Sequence, residues 1–246
     1  MLNGVKKIAI VGNAASGKTS AAGMITEYFA QHVDVSVLKD RTLIEELVIA
    51  ECQSQPEDAN GWKTGIHSRY KIDQNGGIVM SAIDGTWWNF AHRKMFDSAA
   101  EHKDQKQLLV MEYAIAPDYR YEDHKTSLLQ SGDVFCNWAE QKKASKEMFV
   151  LEILSPFELR YERDRKRRRD SMDMETFRRY FPDGGEIPPG EINRLFGDGY
   201  HAFKNTTDDD PWFQGQIYRI CREVMSPALF GEGNRSMFES GRRKEI

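Results

Sequence analysis

The sequence has little cysteine: Cys52, Cys136 and Cys221 are the only three in 246 residues, and they are scattered without metal-ligand spacing. This excludes a disulfide-stapled scaffold and a cysteine-based zinc site, and points to a reduced, cytoplasmic setting. No apolar run approaches the length of a membrane-spanning helix, and no signal-peptide pattern is present, so no membrane association is expected. A dominant charge is also missing. The 34 Lys and Arg against 38 Asp and Glu give a formal net charge of -4 and a pI near 5.9. That balance supplies no global attraction to nucleic acid or an anionic surface, and leaves only local patches for such contacts. The guanine signature Asn-Lys-x-Asp is absent as well, the nearest text being Lys204-Asn205-Thr206-Thr207.

What is present is a phosphate-binding pattern. Gly12-Asn13-Ala14-Ala15-Ser16-Gly17-Lys18-Thr19 fits G-x-x-x-x-G-K-[ST]. Ile8, Ala9, Ile10 and Val11 precede it as a buried-strand run, and Lys18 to Phe29 follows as a helix with Ala21, Ile25 and Phe29 at four-residue spacing. Gly12 and Gly17 let the backbone turn its N–H groups into one concavity, which suits a polyphosphate at the positive end of the helix. Lys18 reaches the terminal phosphate oxygens, Thr19 supplies a hydroxyl for Mg²⁺, and Ser20 completes the set of loop contacts. The expected ligand is a nucleoside triphosphate.

The length suits one α/β domain with insertions. Val33 to Leu38 reads as a second strand ending at Lys39-Asp40-Arg41. Ligands of open α/β sheets lie beyond the carboxyl ends of the strands, so Asp40 either accepts a substrate hydroxyl proton or caps the helix from Thr42 to Glu51. Cys52 to Gly65 reads as a loop. His67 to Ile72 and Ile78 to Ile83, joined by Asp73-Gln74-Asn75-Gly76-Gly77, read as a hairpin with His67, Arg69 and Lys71 on one face. That face is either the solvated side of a strand or a guide for a phosphate backbone. After Asp84, Thr86 to Lys103 reads as a helix with Trp88, Ala91, Met95 and Ala99 along one stripe. Trp87, Trp88 and Phe90 serve the core or stack on a base.

Gln107 to Tyr113 is a strongly apolar strand that delivers Glu112 at its end, a carboxylate placed to hold Mg²⁺ directly or through water, or to act as a base. Pro117 to Asp123, with Asp118, Tyr119 and Arg120, reads as a connection on the substrate side. Asp123 to Lys143 reads as a helix with Leu128, Leu129, Phe135, Trp138 and Ala139 inward. Phe149 to Leu154 is a fourth strand, and Ser155-Pro156 opens a further helix with Ser155 as its cap. On that helix Arg160, Arg163 and Arg167 share one face, and Arg165 and Arg169 another. The charges either keep an exposed helix solvated or, as arginine forks over a migrating phosphoryl group, make it a lid, with Arg163 and Arg167 as the lid contacts and Arg160 next. Met174 to Phe181 continues the lid, and 182–190 is a hinge-like loop. Tyr200 to Lys204 is a fifth strand ending at Asn205, Trp212 to Met225 is the last helix, and a mobile tail starts at Pro227.

In this order of motifs the chain resembles the P-loop kinases of small molecules, the broad group of nucleoside, nucleotide and related kinases. The resemblance covers most of residues 5–225. It implies a three-layer α/β P-loop NTPase fold with a five-stranded, mainly parallel sheet, an inserted hairpin at about 66–84 and an arginine-rich lid at about 156–190, all within a single domain of residues 1–226 followed by a tail. It implies ATP and Mg²⁺ as cofactors and phosphoryl transfer to a nucleoside, nucleotide or other small-molecule acceptor. A hydroxyl of a polynucleotide, or hydrolysis without an acceptor, are the alternatives. Gly12 to Ser20 would cradle the phosphates, Thr19 and Glu112 hold the metal, Asp40 or Glu112 serve as base, Arg163 and Arg167 cover the transferred group, and Asn205 lie near the adenine.

Overall fold

The structure is a computed structural model that describes residues 6–74, 76–83, 85–102, 107–114, 131–141, 147–167, 173–180 and 189–231. Along the chain these form β1 (Lys6–Gly12), α1 (Lys18–Ala30), β2 (Asp34–Lys39), α2 (Asp40–Cys52), β3 (Lys63–Thr64), β4 (Ser68–Ile72), β5 (Ile78–Ile83) and α3 (Gly85–Glu101). There follow β6 (Gln107–Ala114), α4 (Ser131–Gln141), β7 (Met148–Leu154), α5 (Phe157–Arg167), α6 (Met174–Tyr180), α7 (Pro189–Phe196), β8 (Tyr200–Lys204), α8 (Asp210–Ile220) and α9 (Ser226–Phe230). No helix among the described residues is long and apolar enough to cross a membrane.

Continuous apolar runs place β1, β6 and β7 in the interior of a sheet covered on both faces. The order is β2-β6-β1-β7-β8, and every neighbouring pair is parallel. Alternation along β1 divides the core. Ile8 and Ile10 face the cluster made with α1 and α8, whereas Ala9 and Val11 face the one made with α3, α4 and α7. Since all five strands run the same way, the loops after β1, β2, β6, β7 and β8 share one edge, and Gly12, Asp40, Glu112, Ser155 and Asn205 gather there.

The β4–β5 pair is antiparallel and closes through the Asp73 turn, where Gly76 has φ 77 and Asp73 Oδ1 accepts from the Gly77 N–H at 2.8 Å. The segment read as a loop before it contains a strand: β3 pairs with β4. The polar turn after Glu57 folds back on itself, Asp58 Oδ1 accepting from the N–H groups of Asn60 and Trp62, and so aligns Lys63 for pairing. Ile44, Val48, Cys52, Tyr70, Ile83 and Ala91 seal this small sheet against α2 and α3.

Two boundaries need correction. A turn of π-helix, Cys221–Met225, carries α8 into α9, so the chain beyond Pro227 does not begin as a mobile tail. Leu229 is buried in the core and the Phe230 ring lies 5.9 Å from that of Phe29. Helix α7 starts at Pro189, inside the stretch read as a loop. Several expectations fall outside the described residues: Asp84, Asp118, Tyr119, Arg120, Leu128, Leu129, Arg169, residues 181–188, residues 232–246, and the side chains of Thr86 and Trp88.

Candidate nucleotide site

The loop between β1 and α1 uses conformations that side chains resist. Gly12 has φ 144, Ala15 φ 60 and Gly17 φ 109. A Cβ on Gly12 would sit 2.5 Å from the Ile153 carbonyl oxygen, and one on Gly17 2.9 Å from Asn205 Nδ2. Glycine is required at both positions by strain and by space together. No side chain caps α1, so its first N–H groups are left for an anion. Inside the loop, Lys18 Nζ donates to the Asn13 carbonyl at 2.6 Å. Burial lowers the Lys18 ammonium from 10.5 to about 8, against the pull of Asp40 and Glu112 and with the push of Arg160 and Arg167.

Parallel register brings the carboxylates to this lysine. Ile10 of β1 and Lys39 of β2 both pair with Glu112, which is buried. Thr19 Oγ1 donates to Glu112 Oε1, while Glu112 Oε2 is buried and has no hydrogen-bond partner among the described residues. A hydroxyl and a carboxylate side by side, with one oxygen left over, are the hard donors that Mg²⁺ takes. Asp40 is the first residue of α2, buried, with Oδ1 accepting from the Arg41 N–H at 2.6 Å and Oδ2 3.7 Å from His92 Nε2. It therefore opens the helix from inside it, two residues before the expected start. Lys18, Thr19, Glu112 and Asp40 thus share one end of the sheet.

The arginine helix departs from its expectation. Arg160 is fully buried, and its Nε donates to the Ser155 carbonyl at 3.2 Å, so it is a packed residue and not a lid contact. Arg163 turns toward the rear of the loop: Nη1 donates to the carbonyls of Ala15 and Ser16 at 3.3 and 3.2 Å and to Ser155 Oγ at 3.2 Å. Its Nη2 donates to the Thr207 carbonyl at 2.6 Å and its Nε to Asp208 Oδ1 at 2.7 Å. Arg167 is exposed. Ser155 does not cap α5; its hydroxyl donates to the Asn205 carbonyl at 2.9 Å, tying the ends of β7 and β8 together.

Asn205 is buried, and its Nδ2 donates to the Ser16 carbonyl at 3.0 Å. Beside it opens a cavity of about 270 Å³ whose lining includes Gly17, Ser20, Arg167, Asn205, Thr207 and Phe213. Two site residues escaped the sequence reading. His92 lies four residues after Trp88 and three before Met95, on the apolar stripe of α3, and it is buried with its ring 4.5 Å from that of Tyr113. Asp208 reads as one member of an acidic turn; complementarity to the arginine helix was the signal available for it. On the small sheet, Arg69 and Lys71 lie 4.6 and 4.9 Å from the Trp62 ring, and Arg69 also meets Asp58 at 3.4 Å. Trp87 packs partly on the small-sheet core, 5.9 Å from Phe90.

No family model and no curated protein matches the chain. Solved structures of similar shape include the shikimate kinase of Acinetobacter baumannii in complex with shikimate, at 12% identity over 92% of this chain and 96% of that one, TM-score 0.49. The Mycobacterium tuberculosis APS kinase CysC with AMPPNP and APS aligns at 13% identity over 89% and 99%, TM-score 0.47. Chaetomium thermophilum Kti12 with ADP-AlF3 aligns at 14% over 89% and 98%, TM-score 0.46. A parallel sheet that carries the Gly12–Thr19 glycine loop on its middle strand and a carboxylate near the end of the strand beside it is an α/β P-loop fold, and that is the fold of this chain.

Proposed function

We propose that this protein is an ATP- and Mg²⁺-dependent phosphotransferase acting on a nucleoside, a nucleotide or a related small-molecule acceptor, in the cytoplasm. The observation that carries the reading is the Thr19–Glu112 pair beside Lys18, with Glu112 Oε2 buried and without a hydrogen-bond partner among the described residues. Those donors fit a hydrated divalent cation, and the loop fits a polyphosphate. When bound, Mg²⁺ neutralises charge on the β- and γ-phosphates.

The chain's own residues do the rest. Lys18 exchanges the Asn13 carbonyl for phosphate oxygens, and the loop amides hold the phosphates in place. Thr19 and Glu112 hold the cation. Asp40 orients the acceptor hydroxyl and takes its proton, with Glu112 as the other candidate base. Arg167, exposed at the edge of the cavity, supplies mobile positive charge over the migrating group. Asn205 belongs to the wall of the nucleotide cavity.

The test is transfer of radiolabelled γ-phosphate from ATP with Mg²⁺ to a panel of nucleosides, nucleoside monophosphates, other small alcohols and DNA oligonucleotides. A labelled small-molecule acceptor is expected, with turnover lowered on the order of 10³-fold in Lys18→Ala and in Glu112→Gln. Release of free phosphate alone would replace the kinase reading with an ATPase. Label on the oligonucleotide would move the acceptor to a polynucleotide.

A further inference from the structure

A peptide unit is rigid, so the carbonyl of one residue and the N–H of the next point in opposite directions. Whatever holds the Ala15 and Ser16 carbonyls therefore also aims the N–H groups of Ser16 and Gly17. In this loop both carbonyls are held from behind. Arg163 Nη1 donates to each of them, and Asn205 Nδ2 donates to that of Ser16. The opposite side is the interior of the loop, where the Ser16 N–H meets the Asn13 carbonyl at 3.3 Å, the same oxygen that receives Lys18 Nζ.

We infer that Arg163 is a positioning residue for phosphate binding, setting the loop amides from behind through the Ala15 and Ser16 carbonyls, with Asp208 as its orienting partner. The inference rests on the proposed function only in taking the loop as a polyphosphate cradle. It differs from a lid role, because every nitrogen of the guanidinium is engaged. Reaching a phosphate would require leaving the oxygens of Asp208, Ala15, Ser16, Ser155 and Thr207.

Asp208 is suited to the partner role. One oxygen accepts from Arg163 Nε and the other from Lys166 Nζ, both at 2.7 Å. The Lys166 and Arg163 hydrogen bonds hold its carboxyl below the ordinary carboxylate range. The planar fork is essential to the arrangement: one guanidinium reaches loop carbonyls, a strand-end hydroxyl and a turn at once, which a single ammonium cannot do. Arg163 thereby locks the loop, the start of α5 and the turn before α8 into one unit.

The test compares the wild type with Arg163→Met, Arg163→Lys and Asp208→Ala in two measurements. MgADP binding is read by calorimetry, and amide hydrogen exchange across the loop is read in the nucleotide-free protein. Both Arg163 variants are expected to bind MgADP about tenfold more weakly, since charge-assisted hydrogen bonds are lost and Asn205 still holds one carbonyl. The Ser16 and Gly17 amides should exchange faster while those of β1 and β7 stay unchanged. Asp208→Ala, a change at the surface, should shift both readouts in the same direction even if an Arg163 variant fails to fold.

Wild-type affinity in Arg163→Lys alongside loss in Arg163→Met would overturn the inference, because charge alone would then suffice. Unchanged loop exchange in Arg163→Met and Asp208→Ala would also overturn it. The exchange measurement needs no nucleotide. A wild-type chain that failed to bind MgADP would remove the proposed function, while loop exchange would still decide the role of Arg163.

Discussion

An ammonium folded into a loop without its anion is a costly arrangement, and Lys18 shows it. Burial lowers its folded-state value to about 8 from the ordinary 10.5, despite two carboxylates nearby. Between those limits the unfolded chain holds a proton that the folded chain has released, so nucleotide-free stability rises with pH through this window. Below pH 8 the penalty is present in full, on the order of 3 kcal/mol. Nucleotide-free Lys18→Met is therefore expected to be more stable than the wild type at pH 7, with the difference shrinking as pH approaches 10. Urea denaturation at the two values measures it, and a variant less stable at both would show that the lysine is well solvated or well paired. At this scale much was legible in the sequence: Gly12 to Thr19 is a local motif, and Glu112 is displayed by a strand whose apolar run fixes its end. Asp208 and His92 were not, because their partners lie 45 and 52 residues away, at Arg163 and Asp40.

Helix α5 shows why periodicity stops short of geometry. Arg160, Arg163 and Arg167 share a face, but the helix rises about 1.5 Å per residue and leaves the body of the protein as it goes. The first arginine is buried, the second reaches the loop and the third is exposed. Spacing fixes direction around an axis, whereas depth along the axis depends on what the helix leans against. Here that is α6. Phe177 is fully buried, its ring 5.6 Å from those of both Phe157 and Tyr161, and this group packs with Ala14 of the phosphate loop. Arg178 adds its guanidinium 4.5 Å from the Phe157 ring. A helix of seven residues cannot persist without such an anchor. Phe177→Ala is expected to free α6 locally, speeding exchange of its amides while those of the parallel sheet keep wild-type protection. Uniform acceleration across the sheet would mean instead that the aromatic group belongs to the global core.

For the whole molecule, strand order and the limits of the core were the parts least visible in sequence, since both depend on contacts between distant segments. The five parallel strands follow from apolar runs separated by helical stretches, but β3 is only two residues long and is made by its partner. Helix α9 is the clearest case. Ser-Pro-Ala-Leu-Phe before a glycine has no periodicity to mark it as core. Yet it follows directly from the π-turn, where Ser226 Oγ donates to the Cys221 carbonyl at 2.7 Å. Leu229 then enters the cluster that lines α1 and α8, and Phe230 lies between Phe29 and Lys6, whose Nζ is 3.8 Å from the ring centre. Phe29 sits on the helix whose first turn carries Lys18 and Thr19, so α9 backs the element that presents the phosphate site. Two chains ending at Ser226 and at Gly231 isolate this contribution. Burying one leucine and part of a phenylalanine predicts that the longer chain is more stable by about 3 kcal/mol, read as a higher urea midpoint. Equal midpoints would return the boundary to residue 226. The predicted gap would make α9 a structural layer behind α1, and a chain cut before it would be expected to bind MgADP less tightly as α1 loosens.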